Sequence, residues 1–237
     1  MPEAVLAIEA SQRTASVAVR RAPGAAALER TVPAPERDRD HLMASIDACC
    51  REAGVAVRDL AAIAVSVGPG GFTGLRVACA TAKALAEVSG CRLVAVPSAL
   101  VAARAAAADG ALPDGPCLVV LAAKGGDAWC ARVDVAGTIP AERAAGLEAI
   151  LPACPGPVVA DEHAPQCWGA AMAARGVVPA RWTATACLEV GEALLAAGTA
   201  VDALRLGPIY PRPPEAVALW EARHGAGARN PGTAGTG

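Results

Sequence analysis

Val65-Ser-Val-Gly-Pro-Gly-Gly-Phe-Thr-Gly-Leu-Arg76 is the stretch on which the fold turns. Ahead of it Ala61 to Val67 is a continuous apolar run, the pattern of a buried strand, and after it Thr73 to Ser89 reads as a helix. A glycine-rich loop between strand and helix puts backbone N–H groups and the positive end of a helix dipole where an anion could sit. Two common phosphate-binding patterns are excluded by the residues themselves. A P-loop needs Lys and then Ser or Thr after its last glycine, and here Leu75 and Arg76 follow Gly74. The dinucleotide fingerprint needs Gly or Ala where Thr73 stands, and an acid ending the next strand, where Pro97-Ser98 stands. Two readings of the loop remain, a tight turn with Thr73 capping the helix or an anion site.

Working outward, Ala4 to Ile8 is apolar, Glu9 to Thr14 polar and Ala15 to Val19 alternating, which predicts a hairpin, with a third strand over Ala26 to Val32. Beyond the Pro33/Pro35 breaker, Leu42, Met43, Ile46, Cys49, Cys50 and Ala53 recur at helical spacing and predict an amphipathic helix over Asp38 to Ala53. Arg92 to Val96 reads as a strand and Pro97-Ser98 opens a helix to about Ala108. Turn formers concentrate from Asp109 to Pro116, the expected lobe boundary. The opening pattern then recurs: a strand at Cys117 to Ala122, a turn at Lys124 to Asp127 and a strand at Ala128 to Val135. Pro157 to Ala160 reads as a strand, and His163 to Arg175, Thr183 to Ala197 and Glu215 to Arg223 as helices. Two halves that each open with a hairpin plus strand imply an α/β duplication. The expected organisation is an N-terminal lobe over 1–110, a C-terminal lobe over 111–210, a last helix within 211–224 and a disordered tail over 225–237.

Composition narrows the function classes. Lys plus Arg number 21 against 23 Asp plus Glu, a net charge of -2, so nothing in the balance attracts nucleic acid or an anionic membrane. Hydrophobic residues make up 54% and charged ones 19%, enough to bury a sizeable core. Aromatics are only 3%, so Ala, Val, Leu, Ile and Cys must fill that core, and the single Phe72 and single Tyr210 stand out. Nine cysteines without a C-x-x-C pair suggest neither zinc nor a disulfide framework and read as small buried hydrophobes in a reducing cytosol. No basic leader opens the sequence and no run approaches the roughly 18 apolar residues of a membrane helix, so a soluble, cytoplasmic chain is expected.

Candidates for chemistry are few. There is no G-x-S-x-G elbow and no pair of His at helical spacing; His41 stands alone on the polar side of its helix and reads as a solvated surface residue. Glu9 could act as general base or magnesium partner and Ser11 could bind phosphate, or both could simply belong to a turn. On the second long helix Arg76, Lys83 and Glu87 form one narrow stripe and small apolar residues cover the rest. Either the fold covers that helix completely or a second chain packs against it.

Val5-Leu-Ala-Ile-Glu-Ala-Ser11 with Ser16-Val-Ala-Val19, Ala62 to Val77 with Ala80-Thr-Ala-Lys-Ala-Leu85, and Val94-Ala-Val-Pro-Ser98 closely resemble the bacterial TsaB family of tRNA threonylcarbamoyladenosine biosynthesis proteins. Weaker echoes follow in Leu121 to Trp129 and Pro208-Ile-Tyr-Pro-Arg-Pro-Pro214. The resemblance implies an actin-like/hexokinase-like ATPase fold of two related lobes. It implies a role beside a longer paralogue, TsaD, which carries a metal-binding His pair and transfers threonylcarbamoyl to the adenosine next to the anticodon, in tRNAs reading codons that begin with A; a small ATPase, TsaE, binds the pair. The paralogues meet through their first two long helices, which assigns a partner interface to Leu42, Ser45, Ile46 and Cys49 on one helix and Arg76, Cys79, Ala82, Lys83 and Ala86 on the other. A vestigial nucleotide-like cleft falls on Glu9, Ser11, Gly68, Gly70, Gly71, Thr73 and Gly74. Where the family commonly reads Asp-Thr-Ser this chain has Glu9-Ala10-Ser11, which puts nucleotide binding in doubt, and the paralogue's metal pair has no counterpart beside His41.

Two functions follow as expectations. The first is a non-catalytic subunit that pairs with a TsaD-type protein and reaches tRNA through it, with no cofactor or metal of its own; ATP or ADP at the junction with the partner, and a homodimer in the partner's absence, stay open. The second is an independent ATPase-fold enzyme or phosphotransferase using Glu9, Ser11 and the Gly68 to Gly74 loop, with a glycoprotease-like hydrolase disfavoured for want of a metal or activated nucleophile.

Overall fold

The computed structural model describes residues 3–34, 41–113, 115–122, 128–134, 156–164, 174–210 and 223. Strands β1 (Ala4–Glu9) and β2 (Ser16–Arg20) form the expected hairpin, and β3 (Leu28–Thr31) adds to it antiparallel. Helix α1 (Leu42–Ala53) follows, with His41 at its N-cap; residues 35–40, where this helix was expected to begin, lie outside the described residues. A 3-10 turn at Val57–Asp59 leads into β4 (Leu60–Gly68), then come α2 (Phe72–Ser89), β5 (Arg92–Pro97) and α3 (Ser98–Ala108). The second half contributes β6 (Pro116–Ala122), β7 (Ala128–Asp134), β8 (Val158–Ala160), β9 (Val177–Pro179) and α4 (Ala184–Ala196).

The first sheet has the order β3-β2-β1-β4-β5, with β1, β4 and β5 parallel; the second has the order β7-β6-β8-β9, with β6, β8 and β9 parallel. Each sheet therefore begins with a hairpin whose first strand pairs with a later parallel strand, and that strand pairs with a second one. That shared order is the duplication anticipated from the recurring hairpins. The expected turn at 124–127 and helices at 163–175 and 215–223 fall wholly or largely outside the described residues.

Both faces of the first sheet are buried, which is why its central strands read as unbroken apolar runs. On one face Leu6, Ile8, Val17, Val19, Ile63 and Val65 pack under α1 and α2. On the other, Val5, Val94 and Val96 flank a small-residue patch, Ala7, Ala18, Ala62 and Ala64, which lets α4 come close: a Cβ on Gly191 of α4 would lie 2.3 Å from the Ala64 Cβ. Helices α3 and α4 pack against each other between the two sheets, α3 touching β6 and β7 while α4 covers β1, β2 and β4. Sequence order and packing thus cross, since α4 belongs to the second half but roofs the first sheet. Arg20 on β2 joins Glu189 and Glu192 of α4, and Glu189 also takes Arg104 of α3 at 2.6 Å, fastening this crossing with charge. All seven cysteines within the described residues are free thiols, six of them buried, as small core fillers. Among the described residues no helix is long and apolar enough to cross a membrane.

Candidate functional site

The glycine loop and the first hairpin meet, but they close on each other. The Gly71 N–H donates to the Ser11 carbonyl at 2.7 Å. A Cβ at Gly70 would lie 2.1 Å from that same oxygen, and one at Gly74 would lie 2.4 Å from the Ala10 carbonyl oxygen. Both glycines are needed because backbone runs against backbone there, a contact no side chain fits. Gly68, at φ +100°, is covered in turn by the Ile209 carbonyl, 3.1 Å from where its Cβ would be. The expected cap is corrected: α2 starts at Phe72 with Gly71 at the N-cap and no side-chain cap bond, so Thr73 is an exposed residue of the first turn.

Glu9 ends β1 with no exposure to solvent. Its Oε1 accepts the Ser11 N–H at 2.7 Å, while Oε2 and the Ser11 hydroxyl are buried without a hydrogen-bond partner among the described residues. Burial raises the Glu9 carboxyl from 4.5 to about 6, an effect partly offset by the neighbouring Ser11 and Ser66 and reinforced by the charge of Glu29. Because the folded value lies above the unfolded one, the unfolded chain loses this proton first. Stability therefore falls as pH rises between about 4.5 and 6 and stays lower above that window. The shift corresponds to roughly 2 kcal/mol. Glu9→Gln is expected to raise stability by about that much at pH 7.5 and to leave it nearly unchanged at pH 4. Urea melts at the two pH values check this, and a difference independent of pH would refute the assignment.

An open cleft lies elsewhere among the described residues. It offers about 680 Å³ between the β1–β2 turn, with Gln12 and Arg13, and the carboxyl ends of β8 and β9, with Asp161, Glu162, His163, Arg181 and Trp182. Sequence reading missed these residues, although ligand crevices form at the carboxyl ends of parallel strands and Asp161-Glu162-His163 directly follows one. Asp161 is pinned rather than free: its Oδ2 accepts the Ala122 N–H at 2.7 Å and its Oδ1 the His163 N–H at 2.9 Å. Arg181 is held by Asp109 at 2.7 Å, and the Trp182 indole N–H donates to the Ser98 carbonyl at 3.1 Å. Among the described residues no three His, Cys, Asp or Glu side chains are placed to hold a metal ion. Glu162 and His163, also at the cleft, stand exposed with His163 Nε2 and Glu162 Oε1 3.3 Å apart.

The interface expected on α1 and α2 needs correction in phase. Leu42, Ser45, Ile46, Cys49, Cys79 and Ala82 are buried inside this chain, packed on the first sheet. Their spacing marks the inward stripe, because an amphipathic helix of a single folded chain turns its largest apolar residues to its own core. Ala86 is half-buried on that same core, Lys83 is half-buried, and Arg76 is exposed. What remains outward on α2 is Phe72, Thr73, Arg76, Ala80, Ala84, Glu87 and Val88, and on α1 Met43, Ala44, Asp47, Arg51 and Glu52. Met43 is 51% and Val88 82% exposed, so the chain does not cover α2 completely.

At the start of α2 the outward side carries an aromatic and cationic group. The Arg76 guanidinium lies 3.5 Å over the centroid of the Phe72 ring, and its Nε–H donates to the Tyr210 hydroxyl at 2.8 Å. Tyr210 is brought there by the Ile209 N–H, which donates at 2.7 Å to Val67, the residue skipped in the β4–β5 register.

Residues 34–154, just over half of the chain, match the family described as TsaD: tRNA N6-adenosine threonylcarbamoyltransferase. No curated protein matches the sequence. Among solved structures, an uncharacterised protein with similarity to peptidase YeaZ from Pseudomonas aeruginosa is similar at 23% identity over 89% of this chain and 100% of its own, with a TM-score of 0.68. YeaZ from Pseudomonas aeruginosa is similar at 20% identity over 88% of this chain and 99% of its own, with a TM-score of 0.66. Two sheets of shared strand order, with helices on both sides of the first, accord with the actin-like/hexokinase-like ATPase fold. The match over more than half of its length identifies the chain as a member of the TsaD family, with a fold shared with YeaZ.

Proposed function

We propose that this chain is the non-catalytic partner subunit of a TsaD-type protein in the machinery that threonylcarbamoylates the adenosine next to the anticodon of tRNA. The observation that carries the reading is the outward side of α2, where Ala80, Ala84 and Val88, four residues apart in turn, stand exposed along one face of the helix. Small side chains on an exposed helix let a second helix approach closely. The closed glycine loop and the sealed Glu9 support the absence of chemistry of its own, since a nucleotide would need both to open. With a net charge of -2, contact with tRNA falls to the partner. A TsaE-type ATPase would bind the pair, and any ATP or ADP would sit with the partner complex in the cytoplasm. Without its partner the chain could use the same surface to form a homodimer.

Mixing the purified chain with its cognate TsaD-type protein tests this by size exclusion with mass measurement. A stoichiometric complex at micromolar concentration is expected, with no ATP hydrolysis by the chain alone. Absence of the complex would sink the proposal. So would hydrolysis by the isolated chain that disappears in Glu9→Ala and Ser11→Ala.

A further inference from the structure

We propose that Phe72, Arg76 and Tyr210 form an anchor that receives a carboxylate side chain of the partner subunit and carries much of the pairing energy; this rests on the reading that α2 faces that partner. The chain has one phenylalanine and one tyrosine, and the fold brings them together with ring centroids 5.5 Å apart and planes tilted by 39°. Neither is used as core. Phe72 is 53% and Tyr210 40% exposed, in a protein whose other large apolar side chains are mostly buried.

Arg76 lies 3.5 Å from the Phe72 centroid and 5.7 Å from that of Tyr210. Its Nε–H is taken by the Tyr210 hydroxyl, and no carboxylate among the described residues pairs with it. Among the described residues the two terminal nitrogens have no acceptor, on a fork that stacking has already oriented. A guanidinium immobilised in this way loses little further freedom when it binds, and its planar donors match a carboxylate in two parallel hydrogen bonds. Aromatic rings around it exclude water from such a pair, the composition and arrangement of interface hot spots.

The surroundings favour a protein over a nucleic acid. Along α2 the next charges after Arg76 are Lys83 and Glu87, of opposite sign, with Ala80 and Ala84 exposed between and beside them. A phosphate backbone calls for a series of cations, whereas one cation in an apolar helix surface suits a single buried ion pair. Tyr210 also extends the surface beyond the two helices, because the segment that carries it is tied to β4 through Ile209.

Calorimetric titration of the full chain with its cognate TsaD-type subunit, at low and high salt, tests the anchor through Arg76→Gln, Arg76→Lys, Phe72→Ala and Tyr210→Phe. Ala84→Glu, which blocks the outward side of α2 without touching the anchor, is the comparison. Arg76→Gln and Phe72→Ala are expected to weaken pairing about 10-fold to 100-fold. The thermal midpoint of the isolated chain should stay within about 2 °C. Arg76→Gln should also flatten the salt dependence, and Arg76→Lys should restore that dependence with only part of the affinity. If Ala84→Glu abolishes pairing while Arg76→Gln and Phe72→Ala bind as the parent does, the anchor is refuted and the pairing stands. If the parent chain forms no complex, both fall. An effect of Arg76→Gln on tRNA binding by the isolated chain, with pairing unchanged, would overturn the choice of partner.

Discussion

Ala82→Glu should unfold the isolated chain, while Ala84→Glu, two positions further along the same helix, should leave it folded and unable to pair. Ala82 has no exposure and packs in the core under α2 beside Cys79 and Leu85. A carboxylate there would be buried without a partner, which destabilises by about 3–5 kcal/mol. That is a large share of the roughly 5–15 kcal/mol by which a domain is folded. Ala84 is exposed, so the same substitution should change stability by no more than about 0.5 kcal/mol. Its effect falls on the subunit contact, where a carboxylate standing in a close helix–helix approach blocks packing. Thermal melts by circular dichroism and size exclusion with the TsaD-type subunit separate the two outcomes. A folded Ala82→Glu would overturn the orientation of α2, and full pairing by Ala84→Glu would overturn the interface.

The second large effect is expected in the glycine loop, again as a contrast between neighbours. Gly70→Ala puts a methyl group 2.1 Å from the Ser11 carbonyl oxygen and 2.8 Å from the Ser11 Cβ. Backbone cannot rotate out of the way, so the hairpin turn or the start of α2 must move, together with the Glu9 to Ser11 hydrogen bond. Destabilisation of about 3 kcal/mol or more is expected, a fall of roughly 6–12 °C in thermal midpoint for a chain of this size. Gly71→Ala meets the same oxygen at 3.6 Å, ordinary contact distance, and should shift the midpoint little. Were the loop an open cradle for an anion, the two substitutions would have similar effects on stability. Equal melting of the two variants would therefore contradict the closed packing.

Much of this architecture is legible in the residues. Alternation in β2, the unbroken runs of β1 and β4 and the repeated hairpin come from burial on one or both faces of a sheet, a local pattern that sequence carries directly. What a linear reading cannot separate is two causes with the same local demand. A glycine that admits a phosphate and a glycine that admits a carbonyl both need an absent Cβ, so Gly70 and Gly74 suit either reading in the sequence, and only the fold sets Ser11 and Ala10 against them. The phase of α2 was hidden for a similar reason: alanine is compatible with core and surface alike, and Ala80, Ala82 and Ala84 look the same in a string. The three residues of β9 are too few to show a period, and the cluster of Phe72 with Tyr210 joins positions that only the folded chain makes neighbours.

The crossing of α4 onto the first sheet also bears on how the protein comes into being. On the ribosome, strands β1 to β5 are complete after about residue 97, and α3 then reaches β4 and β5, but the cover over β1 and β2 at Ala7 and Ala18 waits until Ala184–Ala196 has emerged. That side of the first sheet is thus incomplete until most of the second half has been made. Its final closure is a templating event in which the last described helix must find a nascent sheet already shaped, with Gly191 as the notch that seats it on Ala64.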